Sequence, residues 1–374
     1  MRKRVVFLMS DTGGGHRAAA EAIGEALGQL HGEAIQVELV DLLVDYAHWP
    51  LNRAPQMYRH LVDRYTGLWH LLLAAGERAW LWRGVAAASL AWHRLRLQRF
   101  FRAHPADLLV SVHPLLNRVP RQAASRWLPG ARFATVVTDL TTAPSVWFDP
   151  GVDLLCASCA AVEARALAAG IPQDRIRLLG LPVRRQFIQP AAGRRELRRH
   201  LGLPDLPMVL VTGGGEGMGP VEAIARALGS ALAGRDSQMV VICGRNGALR
   251  ERLQRLPWPL PVRVEGFVAN MDRWMRAADC LVTKAGPGTI AEALVCGLPL
   301  VLSGYVPGQE TGNVSYVVDH GVGIYSPDPV QIAATVRGWL APGSRDLARM
   351  RQRAEVLARP QAALDIAEAL SELL

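Results

Sequence analysis

The chain has 374 residues, too many for one comfortable hydrophobic core, so two domains are expected. Half its residues are apolar and a fifth are charged, the composition of an ordinary globular protein, and its formal net charge is +9. No apolar run reaches the roughly 18 residues of a membrane-spanning helix, and the apolar stretch after Met1-Arg2-Lys3-Arg4 is too short for a secretory signal, so a soluble or surface-bound protein is expected. The charge is carried by 40 arginines and only two lysines, Lys3 and Lys284. That bias points to a GC-rich genome more than to function, and a bacterial setting is expected, but it makes Lys284 conspicuous as a compact cation in a chain of planar ones.

Residues 4–9 read as a strand that passes through Gly13, Gly14 and Gly15 into a helix rich in Ala, Glu and Leu. Glycines let the backbone turn sharply and a ligand approach closely, and the helix behind them offers free N–H groups and the positive end of its dipole. His16 stands at that end, where imidazolium is disfavoured. It would stay neutral near pH 7 and be free to accept a proton, or it would only cap the helix.

The stretch from Trp49 to His104 breaks the alternation of strand and helix. It holds five of the ten tryptophans, among them Trp69, Trp80, Trp82 and Trp92, and nine arginines, including Arg83 and Arg94, against two acids, Asp63 and Glu77. Aromatic and cationic residues on helical spacing describe a helix pair in an anionic membrane interface. The plainer reading packs these helices on the sheet with arginines in water. Nothing resembles a nucleic-acid motif, so no nucleic-acid partner is expected.

Further strands are expected at 107–112, 132–140 and 153–158. Five cysteines, an odd number, suit reduced thiols in a cytoplasmic setting, and the lone pair Cys156/Cys159 suits buried packing. The first half closes near 180–187, and a Pro, Gly and Arg-rich connector spans about 188–207. Residues 208–212, "MVLVT", then repeat the opening grammar, with Gly213, Gly214 and Gly215 followed by Glu216. Without a GK[ST] ending this is not a P-loop; it is a tight turn or a loop that approaches an acceptor or a diphosphate. Strands near 239–243, 262–265, 280–283 and 299–302 and helices over 328–374 complete an α/β protein of two parallel-sheet halves. Its ligand is expected in the cleft between them, at the carboxyl ends of the strands.

The segment "TKAGPGTIAEALVCGLPLVLSGYVPGQETGN", 283–313, is the most informative. A strand enters a turn at Gly286 and Gly288, and N–H groups at Gly288 and Thr289 with the Thr289 hydroxyl would hold a diphosphate. Glu292 lies one turn further along the same face, placed for the hydroxyls of a ribose. Gln309, Glu310 and Asn313 follow, suited to sugar hydroxyls. Together they point to a nucleotide-diphosphate sugar.

These residues, with "SDTGGGHRAAAEAI", "VTDLTTAPSVWF", "GLPVRRQF" and "GFVANM", resemble the monogalactosyldiacylglycerol synthase and processive diacylglycerol glucosyltransferase group, over residues 5 to about 330. The resemblance implies an inverting GT-B glycosyltransferase: two Rossmann-like, doubly wound domains facing across a cleft, residues 1–187 for the acceptor and 208–374 for the donor, with the last helix returning to the first domain. It implies a hexose, galactose or glucose, moved from a UDP-hexose to diacylglycerol on the cytoplasmic face of the cell membrane, by a peripheral enzyme without a metal cofactor. His16 matches the catalytic histidine, Gly266, Phe267 and Val268 the uracil loop, Gly288 and Thr289 the diphosphate turn, Glu292 the ribose carboxylate, and Gln309 with Glu310 the donor-sugar contacts. Lys284 would contact donor phosphate or serve packing. Asp139 would orient His16 or the acceptor hydroxyl, or cap the next segment. Pro144 and Asp149 stand where the plant-like pattern carries histidines. The rival readings are another lipid-linked acceptor, an epimerase of the same architecture, or a non-catalytic membrane sensor of UDP-sugar.

Overall fold

The computed structural model describes residues 2–11, 15–53, 56–57, 79–189 and 192–374, the side chains of residues 79–83 excepted. The chain divides into two compact units. The first comprises Met1–Arg185, Pro307–Gln309 and Gln361–Leu374, and the second Gln186–Val306 and Glu310–Pro360.

The first unit is built on a six-stranded parallel sheet: β1 Lys3–Met9, β2 Ile35–Asp41, β3 Leu108–Ser111, β4 Arg132–Val136, β5 Leu154–Ala157 and β6 Ile176–Leu178, in the order β2-β1-β3-β4-β5-β6. Every residue of β1 from Val5 to Met9 is buried because helices cover both faces of the sheet. Val5, Phe7 and Met9 pack with Ile23 and Leu27 of the first helix, Gly15–His31, and with Ile366 and Leu370 of the last, Ala362–Ser371. Val6 and Leu8 face the other way, toward Leu97, Phe100, Phe133 and Trp147. Residue alternation along one strand thus serves two apolar layers.

The second unit repeats the plan with β7 Met208–Thr212, β8 Gln238–Ile242, β9 Val262–Glu265, β10 Cys280–Lys284, β11 Leu300–Gly304 and β12 Gly323–Tyr325, in the order β12-β11-β10-β7-β8-β9, again all parallel. Val209, Val211, Val241, Val282 and Val301 pack against Ile224, Leu228, Ile332 and Val336. In each sheet the order reverses beside its first strand, between β1 and β3 and between β7 and β10. A crevice opens at such a reversal, at the carboxyl ends of the strands.

Several expectations are corrected. The strand expected over 132–140 ends at Val136, and Val137 to Leu140 leave the sheet as a loop. Strands β2, β6 and β12 have no counterpart in the sequence reading; each forms an edge, where partial exposure interrupts the apolar run. The segment read as a connector, 188–207, carries the helix Arg194–His200, whose Arg198 donates to the Ala277 carbonyl at 3.0 Å and to Asp279 at 2.7 Å.

Candidate active site

In the first unit the helix that begins at Gly15 carries His16 into the reversal beside β3. Gly13 and Gly14 lie outside the described residues; Gly15 begins the helix. The His16 ring is buried, with Nδ1 at 2.8 Å from the Val112 carbonyl and 2.9 Å from Thr138 Oγ1. A carbonyl only accepts, so Nδ1 carries the hydrogen and Nε2 keeps the lone pair. Burial lowers the His16 pKa to about 4, opposed by its bond to Val112 and by Asp11. The ring is therefore neutral at pH 7, as its place at a helix start suggested, and burial is the main cause.

Two ring neighbours that the sequence reading missed lie against it. His113 meets His16 edge to face with centroids 4.5 Å apart, and burial, then the neighbouring His16, holds it well below its ordinary pKa. Its Nδ1 accepts from the Leu115 N–H at 3.2 Å. The fully buried Trp147 lies 6.4 Å from His16, ring to ring, and its indole N–H donates to Asp139 Oδ2 at 2.7 Å. Asp139 thus reaches the His16 neighbourhood through Trp147. The signal for His113 was its place after the strand 107–112, the rule that singled out His16. Pro144 starts the short helix Ser145–Trp147, and Asp149 is buried against Arg121, Oδ2 to Nε at 2.9 Å, while accepting from the Gly151 N–H. Where the plant-like pattern has histidines, these residues shape the loop that carries Trp147.

In the second unit five loops gather after β7, β8, β9, β10 and β11. Gly214 adopts φ +76° and Gly244 φ +57°; a Cβ on Gly244 would lie 2.3 Å from the Gly215 carbonyl oxygen, so only glycine lets these two loops touch. Gly213 is buried within the same turn and Gly215 is exposed beside Arg245. Arg245 pairs with Glu216 at 2.7 Å, and its guanidinium carbon lies 4.8 Å from the centre of the Phe267 ring, which is 60% exposed. A flat ring backed by a guanidinium is a platform on which a base can stack; Gly266 and Val268 flank it, half-buried.

After β10 the helix Pro287–Val295 starts at Gly286 without a side-chain cap. The N–H groups of Gly288 and Thr289 belong to its first turn, where no intrahelical acceptor exists. Glu292 is half-buried one turn on. Lys284 Nζ lies 2.5 Å from Glu310 Oε1, and Glu310 Oε2 accepts from the Val306 N–H at 2.8 Å. Asn313 is buried and donates to the Ala285 carbonyl at 2.9 Å, tying the helix Thr311–Asp319 to the glycine turn. Lys284, Gly286 and Glu310 are brought together; Gln309 is half-buried in the adjoining turn.

The helix pair Ala79–Trp92 and Arg94–Ala103 packs on the sheet, as the plainer reading has it, and leaves an exposed face. Leu90, Leu97, Phe100 and Phe101 are buried in the core, whereas Trp92, at 63% exposure, and Leu95, at 66%, face outward among the exposed Arg94, Arg99 and Arg102. Trp69 and the side chains of Trp80, Trp82 and Arg83 lie outside the described residues. No described helix is long and apolar enough to cross a membrane. All five cysteines are free thiols; burial pushes Cys156 up to about 12, in keeping with packing.

Residues 16–183 match the family model for monogalactosyldiacylglycerol (MGDG) synthase, and residues 208–365 that for the glycosyltransferase family 28 C-terminal domain. A probable monogalactosyldiacylglycerol synthase 2, chloroplastic, of Oryza sativa subsp. japonica is 44% identical over 99% of this chain and 81% of its own length. The chain belongs to the monogalactosyldiacylglycerol synthase family. Monogalactosyldiacylglycerol synthase 1, chloroplastic, of Arabidopsis thaliana is 42% identical over 99% of the chain and 71% of its own length. The fold matches the crystal structure of Acinetobacter baumannii MurG, with a TM-score of 0.64 at 16% identity over 99% of both chains. This family member is thus a glycosyltransferase with the α/β, GT-B fold of two Rossmann-like units. The expected bacterial setting is corrected by these plant relatives, and their chloroplast names give the expected cytoplasmic face of a cell membrane no support.

Proposed function

We propose that this glycosyltransferase moves galactose from UDP-galactose to the free hydroxyl of 1,2-diacylglycerol, with inversion at the anomeric carbon. The choice of sugar and acceptor is supported by the relatives matched over 99% of this chain, which are named for the galactolipid. The chemistry is supported by one observation above all: His16 is a buried, neutral imidazole whose Nδ1–H is committed to the Val112 carbonyl, leaving Nε2 as a base. In the proposed step Nε2 takes the acceptor proton while the acceptor oxygen bonds to the anomeric carbon. The bond from that carbon to the phosphate oxygen breaks, and UDP leaves with the electron pair. A base this weak removes the proton late, as the hydroxyl acidifies on bonding to carbon.

In this reading the nucleotide part of the donor belongs to the second unit. Uracil stacks on Phe267, the diphosphate meets the N–H groups of Gly288 and Thr289 and the Thr289 hydroxyl, and Glu292 takes the ribose. Gln309 and Glu310 are the sugar contacts that the family resemblance implies. The helix N–H groups and Lys284 offset the charge that builds on UDP, so the step is written without a metal ion. Membrane docking through Trp92, Leu95 and the arginines beside them brings the enzyme to its lipid.

Incubation with diacylglycerol vesicles and each UDP-hexose in turn, followed by mass and anomeric analysis, tests the reading. A β-galactosyl lipid from UDP-galactose is expected. A glucosyl product would overturn the donor assignment, and no lipid product with any hexose the acceptor. Anionic vesicles are expected to recruit the protein more strongly at low salt; recruitment indifferent to salt and to lipid charge would remove the electrostatic part.

A further inference from the structure

Glu310 has no carboxylate oxygen without a partner inside the protein. One accepts from the Val306 backbone within its own turn and the other holds Lys284 Nζ, and the side chain is only 5% exposed. A residue reading sugar hydroxyls needs an oxygen turned toward the ligand, whereas this carboxylate is turned toward a lysine. Lys284 in turn is the last residue of β10, and the register with β11 slips between Thr283 and Lys284, so that Lys284 pairs with Gly304. A bulge of this kind re-aims the side chain that follows it. Here the ammonium is turned over two glycine turns at once. A Cβ on Gly286 would come within 3.2 Å of Nζ, and one on Gly214 within 3.8 Å of Cε. Both turns are therefore open where the lysine crosses them. Lys284 is the only lysine between Lys3 and the end of the chain, so a site that uses arginine everywhere else uses a point charge where space is smallest.

We infer that Glu310 is a positioning residue: it holds the Lys284 ammonium between the Gly214 and Gly286 turns, where that ammonium binds the diphosphate of the donor and the departing UDP. This rests on the donor reading above and changes one part of it, since the discrimination of the hexose then falls to Gln309 and not to Glu310. An ammonium has three hydrogens; one or more remain for phosphate oxygens while Glu310 fixes its position. The carboxylate also supplies the counter-charge for the ammonium when no donor is bound, so the site does not carry an unbalanced cation between turnovers.

The experiment uses the full chain with Lys284→Met, Glu310→Gln and the double variant, with UDP and UDP-galactose as probes. Glu310→Gln keeps an oxygen for the Val306 N–H but replaces the charged acceptor facing Lys284 by an amide NH2, which cannot accept from an ammonium. Its UDP affinity by calorimetry is expected to fall about tenfold, although UDP has no hexose, and its kcat by about a hundredfold. Lys284→Met is expected to do the same, and the double variant to be no worse than Lys284→Met alone, because the two side chains act as one unit. A Glu310→Gln variant that binds UDP as tightly as the parent and shifts only the ratio of galactose to glucose transfer would overturn the inference in favour of sugar reading. Losses that add in the double variant would overturn it equally. Should Glu310→Gln fail to fold, Lys284→Met alone decides, since unchanged UDP affinity there removes the lysine from the diphosphate site. If the parent enzyme binds no UDP, it is the donor reading itself that fails.

Discussion

The chain uses one local design twice and obtains opposite electrostatics from it. After β1 and after β10 a strand runs through glycines into a helix at the point where the strand order reverses. The helix after the first turn delivers a buried, neutral ring with Nδ1 committed to Val112 and Thr138, walled by His113 and Trp147. The second delivers a partly exposed ammonium, an anchored carboxylate and uncapped helix N–H groups. The helix start is positive in both. What differs is the neighbour across the reversal: β3 brings an apolar core and a carbonyl, whereas β7 brings a glycine loop open to solvent. A glycine turn therefore defines a place for chemistry, and the adjacent strand decides which chemistry.

The largest expected effect separates the two turns by substitution. His16→Ala is expected to lower turnover by about a hundredfold to ten-thousandfold, the usual worth of a general base, with UDP affinity unchanged because the residues proposed to meet UDP, Phe267, Gly288, Thr289 and Glu292, lie in the second unit. A parallel fall in UDP affinity, measured by calorimetry, would break the division of labour.

The second test uses pH. The folded His16 has a pKa of about 4 against an ordinary value of 6.5. Between those values the unfolded chain binds a proton that the folded chain refuses, so stability falls as pH falls, by about 2 kcal/mol at pH 5. Urea melts at pH 7 and pH 5 are expected to show this loss in the parent and to lose that share of it in His16→Gln. The acid limb of kcat/KM should likewise stay flat below pH 6; an inflection near pH 6.5 would mean that the ring is not closed in.

Two smaller effects sharpen the contrast. Gly244→Ala forces a Cβ against the Gly215 carbonyl at positive φ and is expected to cost about 2–3 kcal/mol in chemical denaturation. Trp147→Phe keeps most of the ring but leaves Asp139 without the indole N–H, an expected loss of about 1–2 kcal/mol with reduced turnover and intact UDP binding. The smallest is Phe267→Ala, an exposed platform, expected to weaken UDP about fivefold and leave thermal stability unchanged.

Much of the fold was legible because parallel strands buried on both faces are uninterrupted apolar runs: "VVFLM", "MVLVT" and "CLVT" announce β1, β7 and β10. The edges β2, β6 and β12 were not, since a strand with one free side needs no such run. "IQVELVD" alternates with charge, and "IRL" and "GIY" are too short to stand out. The C-terminal turn was legible for a related reason. Lys284, Gly286, Thr289 and Glu310 lie within one stretch of 27 residues, so strand, turn and helix periods placed them without knowledge of the fold.

By itself, then, the amino-acid order determined the two parallel-sheet units, the glycine turns that open each, and the identity of the residues these turns present. Tertiary structure alone decided their chemical state. The partners that fix the tautomer of His16 come from 96 and 122 residues away, and the burial that lowers its pKa is supplied by strands and helices with no local signature. Likewise the slip in register at Lys284 and the return of Glu310 onto it arise only when β11 pairs with β10. Sequence periodicity reports which face of an element is apolar. Proton affinity depends on which distant groups share the same few ångströms, and only packing brings those groups together.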